Sequence, residues 1–174
     1  MRGFLSHSVI RRAVAIPITL AIVAVSASGV MAAKPIRELS PSPPEFDLDG
    51  FCAYPVHVDM LADKGATITY VGRDGQPTYT RVNGHLVTQV TNATTGASEV
   101  LNISGPGTFR PIENGMTRVD GTGNWLIYLS AADAGGPGIW WTHGRLSIVI
   151  DEEGTVVKTA LPASRIDVCA LLSS

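Results

Sequence analysis

From Phe51 onward, glycines divide the sequence into short runs that are rich in Val, Ile, Thr, Tyr and Trp. β-Branched and aromatic residues fit the pleated surface of a sheet, and runs of this length between turn residues are typical of strands. Apolar and polar residues alternate in several runs; within 145–151, for example, Leu146, Ile148 and Ile150 share one face. The pattern predicts an all-β domain with about eight to ten strands and little helix.

The breaks between the runs carry residues that favour hairpin turns. Asp74-Gly75 lies between TITYVG and PTYTRV and suits the positive φ angles of a type I′ turn. Asn83-Gly84 offers the same chemistry before the next run, and Thr95-Gly96 and Glu153-Gly154 mark two further reversals. Successive hairpins predict an antiparallel meander. Because a large open sheet would expose its edges, we expect closure into a β-barrel, with a β-sandwich as the alternative.

The C-terminal tail, 164–172, supports two interpretations. Ser164 and Asp167 have the spacing of a capping box, which would begin a helix. Ile166 and Val168 alternate with polar residues, as in a strand. Both interpretations stay open at this point.

Residues 1–32 have the layout of a secretory signal peptide. Three arginines precede the uncharged apolar run Ala13–Val25, and small residues follow, with cleavage expected within 27–33. The uncharged stretch 13–33 is also long enough to span a bilayer. The protein is therefore expected to be secreted, or, as the alternative, to be anchored to the outer face of the membrane by 13–33.

Residues 33–50 contain four prolines, Pro35, Pro41, Pro43 and Pro44. Proline fixes φ and lacks an N–H donor, which excludes a helix or a central strand. We therefore predict a Pro-rich linker at 33–50, followed by a single domain at 51–174.

The chain contains two cysteines, Cys52 and Cys169, one near each end of the predicted domain. Export delivers thiols to an oxidising compartment, where paired cysteines form disulfides. Neither cysteine belongs to a CxxC motif or to a Cys/His cluster, so a structural bridge is favoured over a metal or redox site. Such a bridge predicts that the two ends of the domain lie side by side.

Composition excludes several classes of function. Charged residues make up 16% of the chain and the net charge is −2, which is unlike a basic nucleic-acid binder. The glycine clusters do not lie between a strand and a helix, as a phosphate loop would require, and GxSxG and HExxH do not occur. We predict no nucleic-acid partner, no metal and no cofactor.

A few polar residues are candidates for catalysis. His57 and Asp59 are two residues apart on a predicted strand, so their side chains share a face and could act as base and orienter. An ordinary solvent-facing pair is the alternative. His143 and Arg145 are further candidates, because they follow an unusual aromatic run.

That aromatic run contains the adjacent residues Trp140 and Trp141. Neighbouring side chains of a strand point to opposite faces, so one indole can fill the core while the other meets solvent, a ligand or a partner. We predict that Trp140 and Trp141 contribute to ligand or partner binding.

A resemblance to known proteins lies in four stretches: GHLVTQVTNATTGASEVLNISGPGTF, GTGNWLIYL, GIWWTHGRLSIVID and DVCALL. They resemble a set of exported actinobacterial proteins of unassigned function, over most of 51–172. The resemblance implies export and an all-β domain with a cysteine near each end, and it implies no catalytic residues. The strand count is also similar to that of allene oxide cyclase and dirigent barrels, which is an analogy of fold alone.

We therefore expect a secreted, non-catalytic β-barrel protein that binds a small apolar ligand in its mouth or a surface partner. The first alternative is a cyclase- or isomerase-like enzyme with a barrel pocket, using His57, Asp59, His143 and Arg145. The second is an envelope interaction module that touches the membrane only through its N-terminal export segment.

Overall fold

The computed structural model describes residues 34–173. The predicted signal peptide, 1–32, and the alternative anchor, 13–33, lie outside the described residues. Within 34–173, no helix has the length and hydropathy that crossing a membrane requires.

The described chain forms strands throughout and one short helix near its end. In chain order these elements are β1 (Ile36–Leu39), β2 (Glu45–Leu48), β3 (Val56–Asp63), β4 (Ala66–Val71), β5 (Pro77–Asn83), β6 (Leu86–Asn92), β7 (Ser98–Asn102), β8 (Gly107–Pro111), β9 (Thr117–Gly121), β10 (Asn124–Leu129), β11 (Gly138–His143), β12 (Leu146–Ile150), β13 (Val156–Ala160), β14 (Arg165–Asp167) and α1 (Val168–Leu171).

The strands form three antiparallel sheets. One sheet has seven strands in the order β1-β4-β5-β8-β9-β12-β13, a second has four in the order β2-β3-β6-β7, and a third has three in the order β10-β11-β14. The prediction of an all-β, antiparallel fold with little helix is confirmed.

Hairpins connect the strands, but the predicted meander is wrong. Strands that are consecutive in sequence pair within each hairpin, as in β4–β5 and β6–β7, yet each hairpin from β2–β3 to β12–β13 belongs to a different sheet from the one before it. Gly75, Gly96 and Gly154 have φ angles of 79°, 78° and 87°, as expected for the turns that close β4–β5, β6–β7 and β12–β13. Within the seven-stranded sheet, therefore, whole hairpins lie side by side, and the hairpins that come between them in sequence belong to the other two sheets.

The predicted hairpin at Asn83-Gly84 is also wrong, because β5 and β6 lie in different sheets. Gly84 serves a close approach of two chain segments instead. A Cβ atom at Gly84 would lie 2.7 Å from the Cα of Gly65 and 2.7 Å from the carbonyl oxygen of Lys64. A side chain at position 84 would therefore collide with the backbone of the segment that connects β3 to β4, and only glycine fits there.

The three-stranded sheet contributes apolar side chains to two cores. Ile127 and Leu129 of β10 pack with residues of the seven-stranded sheet, among them Leu146. Ile139 of β11 points to the opposite face and packs with residues of the four-stranded sheet, among them Val90. Between residues 34 and 173 no sheet closes on itself, so closure into a barrel is not confirmed and a β-sandwich is as compatible with these sheets.

Part of the predicted linker is folded. Residues 36–39 form β1, which pairs with β4, and residues 45–48 form β2, which pairs with β3. Each strand lies at the edge of its sheet. The prolines lie before β1 or between β1 and β2, so they interrupt neither ladder. The linker prediction for 33–50 is therefore wrong for these two strands.

The predicted disulfide between Cys52 and Cys169 is present, with the two Cα atoms 5.5 Å apart. It joins the segment before β3 to α1, and the Tyr54 hydroxyl donates a hydrogen bond to the Cys169 carbonyl across the same junction. The tail combines both interpretations of its sequence: β14 is followed directly by α1, whose N-cap Asp167 accepts a hydrogen bond from the Ala170 amide at 3.1 Å.

Candidate functional site

An apolar groove of about 480 Å³ runs along β10, between that strand and the β12–β13 hairpin. All residues from Trp125 to Ser130 contribute to its wall, which is possible because, among the strands of 34–173, β10 pairs only with β11. The remaining lining comes from three other segments: Phe51, Asp133, Ile148, Ile150, Glu153, Gly154, Thr155 and Val156. The groove thus has an aliphatic floor with polar groups at its rim.

Two aromatic rings form one wall of the groove. Phe51 contacts Tyr128 in an edge-to-face arrangement, with ring centroids 5.5 Å apart. Phe51 directly precedes Cys52, so the disulfide links this wall to α1, which contains Cys169. Tyr128 is 48% exposed, which leaves part of its ring accessible to a bound molecule.

The polar end of the groove is organised by Asp133. Its carboxylate accepts hydrogen bonds from the Ser130 amide at 2.6 Å, the Ser130 hydroxyl at 2.7 Å and the Val156 amide at 2.6 Å. The hydrogen bond from the Ser130 side chain, followed by that from the Val156 amide, lowers the pKa of Asp133. Asp133 thereby ties the loop after β10 to the start of β13.

Replacement of Asp133 by Asn is expected to destabilise the protein by about 1 kcal/mol at neutral pH, because the amide cannot accept all three hydrogen bonds. A depressed pKa contributes stability that is present above the unfolded-state pKa of about 3.9 and is lost as the pH falls through the folded-state pKa. The difference between wild type and variant, measured by urea unfolding, should therefore shrink at acidic pH. A difference that is constant from neutral pH to well below the unfolded-state pKa would contradict this role.

Trp140 and Trp141 point to opposite faces, as predicted, but both pack against a core. Trp140 packs against the core that includes Leu146, and Trp141 packs against the core that includes Val90. The Trp141 Nε1 atom also donates a hydrogen bond to the Asn102 carbonyl at 3.0 Å. Both indoles are packed because residues of the seven-stranded sheet cover one face of the three-stranded sheet and residues of the four-stranded sheet cover the other. Neither indole lines the groove; Trp140 borders a separate cavity of about 210 Å³, under the Arg165 guanidinium.

A second cluster lies on the outer face of the β2–β3 hairpin. The His57 Nδ1 atom is 2.6 Å from an oxygen of Asp47, and its Nε2 atom is 3.3 Å from Asp59 and 4.0 Å from Glu45. The hydrogen bond to Asp47 raises the pKa of His57, and the nearby charge of Asp59 acts in the same direction. The predicted His57–Asp59 pair is thus assembled, with two carboxylates that the sequence analysis missed.

The remaining catalytic candidates lie elsewhere. His143 contacts Asn124 through Nδ1 at 3.0 Å and meets the Trp141 ring edge-to-face at 4.4 Å between centroids. Arg145 is exposed and borders a cavity of about 380 Å³ together with Asp120. The structure therefore brings His57 and Asp59 together, and it gives His143 and Arg145 other neighbours.

Comparison with known proteins adds no assignment. No family model, no curated protein and no solved structure matches this chain.

Proposed function

We propose that this chain is an exported, non-catalytic binding protein, built as a layered β-sandwich, that holds a small apolar ligand in the groove along β10. The observation that carries the proposal is the groove itself. Its volume, about 480 Å³, lies within the range of about 300–1,000 Å³ that is usual for small-molecule sites.

The chemistry of the lining supports an elongated, largely apolar ligand. Ile127, Ile148 and Ile150 provide an aliphatic floor, and Phe51 and Tyr128 provide a flat aromatic wall. Burial of apolar surface contributes roughly 25 cal/mol per Å² and needs no directional contacts. The edge of β10 that faces away from β11 offers backbone hydrogen bonds to a polar group of such a ligand.

The distribution of ionisable residues supports a role in binding over catalysis. Proton transfer needs an acid or base within hydrogen-bond reach of the reacting group. His57, His143 and Arg145 do not line the groove. Of the two carboxylates that do, that of Asp133 is engaged by three donors, and Glu153 lies exposed in the turn between β12 and β13. Export is supported by the disulfide, which is a feature of oxidising compartments.

A large side chain placed in the groove should weaken ligand binding. We expect the wild-type protein to bind cis-parinaric acid, an apolar polyene whose fluorescence rises when it leaves water, and we expect Ile150→Trp to weaken this binding by about tenfold or more, since the indole would occupy the groove. Titration followed by fluorescence measures both affinities.

The matched control is Val149→Trp. Val149 is the neighbour of Ile150 on β12, points to the opposite face and pairs with Arg118 and Lys158. This variant should bind the polyene as the wild type does. Equal affinity of Ile150→Trp and the wild type, or equal loss in both variants, would contradict the assignment of the groove.

A further inference from the structure

We propose that the outer face of the β2–β3 hairpin binds a divalent first-row transition-metal ion through Glu45, His57 and Asp59, with Asp47 as the positioning residue for the imidazole. The sequence predicts no metal, since it contains neither a Cys/His ligand cluster nor HExxH, and Glu45 and Asp47 fall within the predicted linker. The site is separate from the groove, so it stands or falls independently of the proposed ligand.

Strand register creates the cluster. In the antiparallel β2–β3 pair, Glu45 lies opposite Asp59, and Asp47 lies opposite His57. Side chains alternate along each strand, so these four residues share the outer face while the intervening apolar residues face the core. Of the latter, Val56 and Val58 are completely buried, which fixes the backbone beneath the site.

The ligand atoms are close enough for one ion to reach all three. One nitrogen of His57, one oxygen of Asp59 and one of Glu45 lie within 4.8 Å of one another. Metal–ligand bonds of about 2.0–2.2 Å in a tetrahedral site place ligand atoms about 3.4 Å apart. The His57 Nε2–Asp59 Oδ1 distance of 3.3 Å matches this spacing, and the Glu45 oxygen, 4.0 Å from Nε2, belongs to an exposed and adjustable side chain.

Asp47 supplies the contact that a metal-binding histidine usually has. Histidine ligands almost always donate their second ring N–H to a carboxylate or a carbonyl, which fixes the tautomer and orients the free nitrogen. The 2.6 Å contact between His57 Nδ1 and Asp47 Oδ1 provides this partner. The Nε2 lone pair is then directed toward Asp59 and Glu45.

The charge balance of the face favours a cation. Three carboxylates surround one imidazole, and Glu45 and Asp59 are directly opposed across the ladder, an arrangement of like charges that destabilises a sheet. Among residues 34–173, no Lys or Arg forms an ion pair with any of the three carboxylates. The next strand, β6, places the neutral residues Thr91 and Gln89 beside His57 and Asp59. A bound cation would remove this repulsion.

The donor set selects the class of ion. Imidazole together with carboxylates suits Zn²⁺, Co²⁺, Ni²⁺ or Mn²⁺, whereas Mg²⁺ and Ca²⁺ prefer oxygen ligands alone. Three protein ligands on an exposed face leave at least one position for water or for a donor atom of another molecule.

Calorimetric titration of Zn²⁺ into the untagged, disulfide-bonded protein, after treatment with a chelator, tests the proposal. One ion should bind per chain, and His57→Ala and Asp59→Asn should each lower the affinity by about tenfold or more. Asp47→Asn should lower it about 10- to 100-fold while leaving the stoichiometry unchanged, as expected for a positioning residue. Co²⁺ in place of Zn²⁺ should produce visible d–d absorption that disappears in His57→Ala.

His85→Ala is the matched control, because His85 is an exposed histidine just before β6, outside the cluster. It should bind Zn²⁺ as the wild type does. The substituted side chains lie on the outer face of the sheet, so unfolding midpoints are expected to stay close to that of the wild type. Zn²⁺ affinity that is absent in the wild type, or that is unchanged in both His57→Ala and Asp59→Asn, would overturn the proposal.

Discussion

Replacement of Cys52 by Ser is expected to lower the free energy of unfolding by about 2–5 kcal/mol. The two cysteines are 117 positions apart, so the bridge restricts a long loop in the unfolded chain. It also ties Phe51 and Tyr54 to α1, which places the aromatic wall of the groove. Urea unfolding of the non-reduced proteins measures the difference.

Three controls separate the effect of the disulfide from that of the Cys52 side chain. Cys169→Ser and the double variant should lose as much stability as Cys52→Ser, and reduction of the wild type should produce a similar loss. An unchanged unfolding midpoint in all three variants would contradict a stabilising role for the disulfide. Weaker polyene binding by Cys52→Ser is also expected, because the disulfide no longer fixes the position of Phe51 in the aromatic wall of the groove.

Replacement of Trp125 by Ala is expected to cost about 3–5 kcal/mol. The indole of Trp125 lies directly on the backbone of three glycines: Cβ atoms built at Gly105, Gly107 and Gly121 would lie 2.3, 2.5 and 2.8 Å from its ring atoms. Its Nε1 atom donates to the Thr122 carbonyl at 3.1 Å. Trp125 is partly buried and packs against the core that includes Leu146. Removal of its ring would leave unfilled space against the glycine backbone, which cannot easily move in to fill it.

The reciprocal change should also be costly. Gly107→Ala would place a methyl group on the Trp125 ring and displace it, so destabilisation of about 1–3 kcal/mol is expected from overpacking. Tyr128→Ala, which removes a half-exposed ring from the same strand, should cost less than Trp125→Ala. Thermal and urea unfolding of the three variants provide the comparison; equal losses for Trp125→Ala and Tyr128→Ala would contradict the role of the glycine-lined contact.

The local sequence predicted the strands because β-branched alternation and Asp-Gly or Thr-Gly turns act over a few residues. The order of strands within each sheet depends on contacts between segments that are distant in sequence, so no local sequence pattern reveals it. The close approach at Gly84 illustrates this, since its partner, Gly65, lies on another connection. The prolines obscured β1 and β2, because a proline between two edge strands looks the same in sequence as a proline in a linker.

The candidate sites show the same limit. The common face of His57 and Asp59 follows from strand periodicity alone, whereas Glu45 and Asp47 join them only through the register of β2 against β3. The groove collects Phe51, the edge of β10 and the β12–β13 hairpin, segments that are about a hundred residues apart at the extremes. The adjacent tryptophans were conspicuous in the sequence, but packing on both faces of their sheet engages them in the cores.

Native mass spectrometry of the protein recovered from the medium of its own source shows whether the groove along β10 carries a ligand. We expect a population whose mass exceeds that of the disulfide-bonded chain by one small apolar molecule. This population should be lost in Ile150→Trp and kept in Val149→Trp. Only the bare chain mass in all three proteins, together with no binding of the polyene, would contradict this expectation.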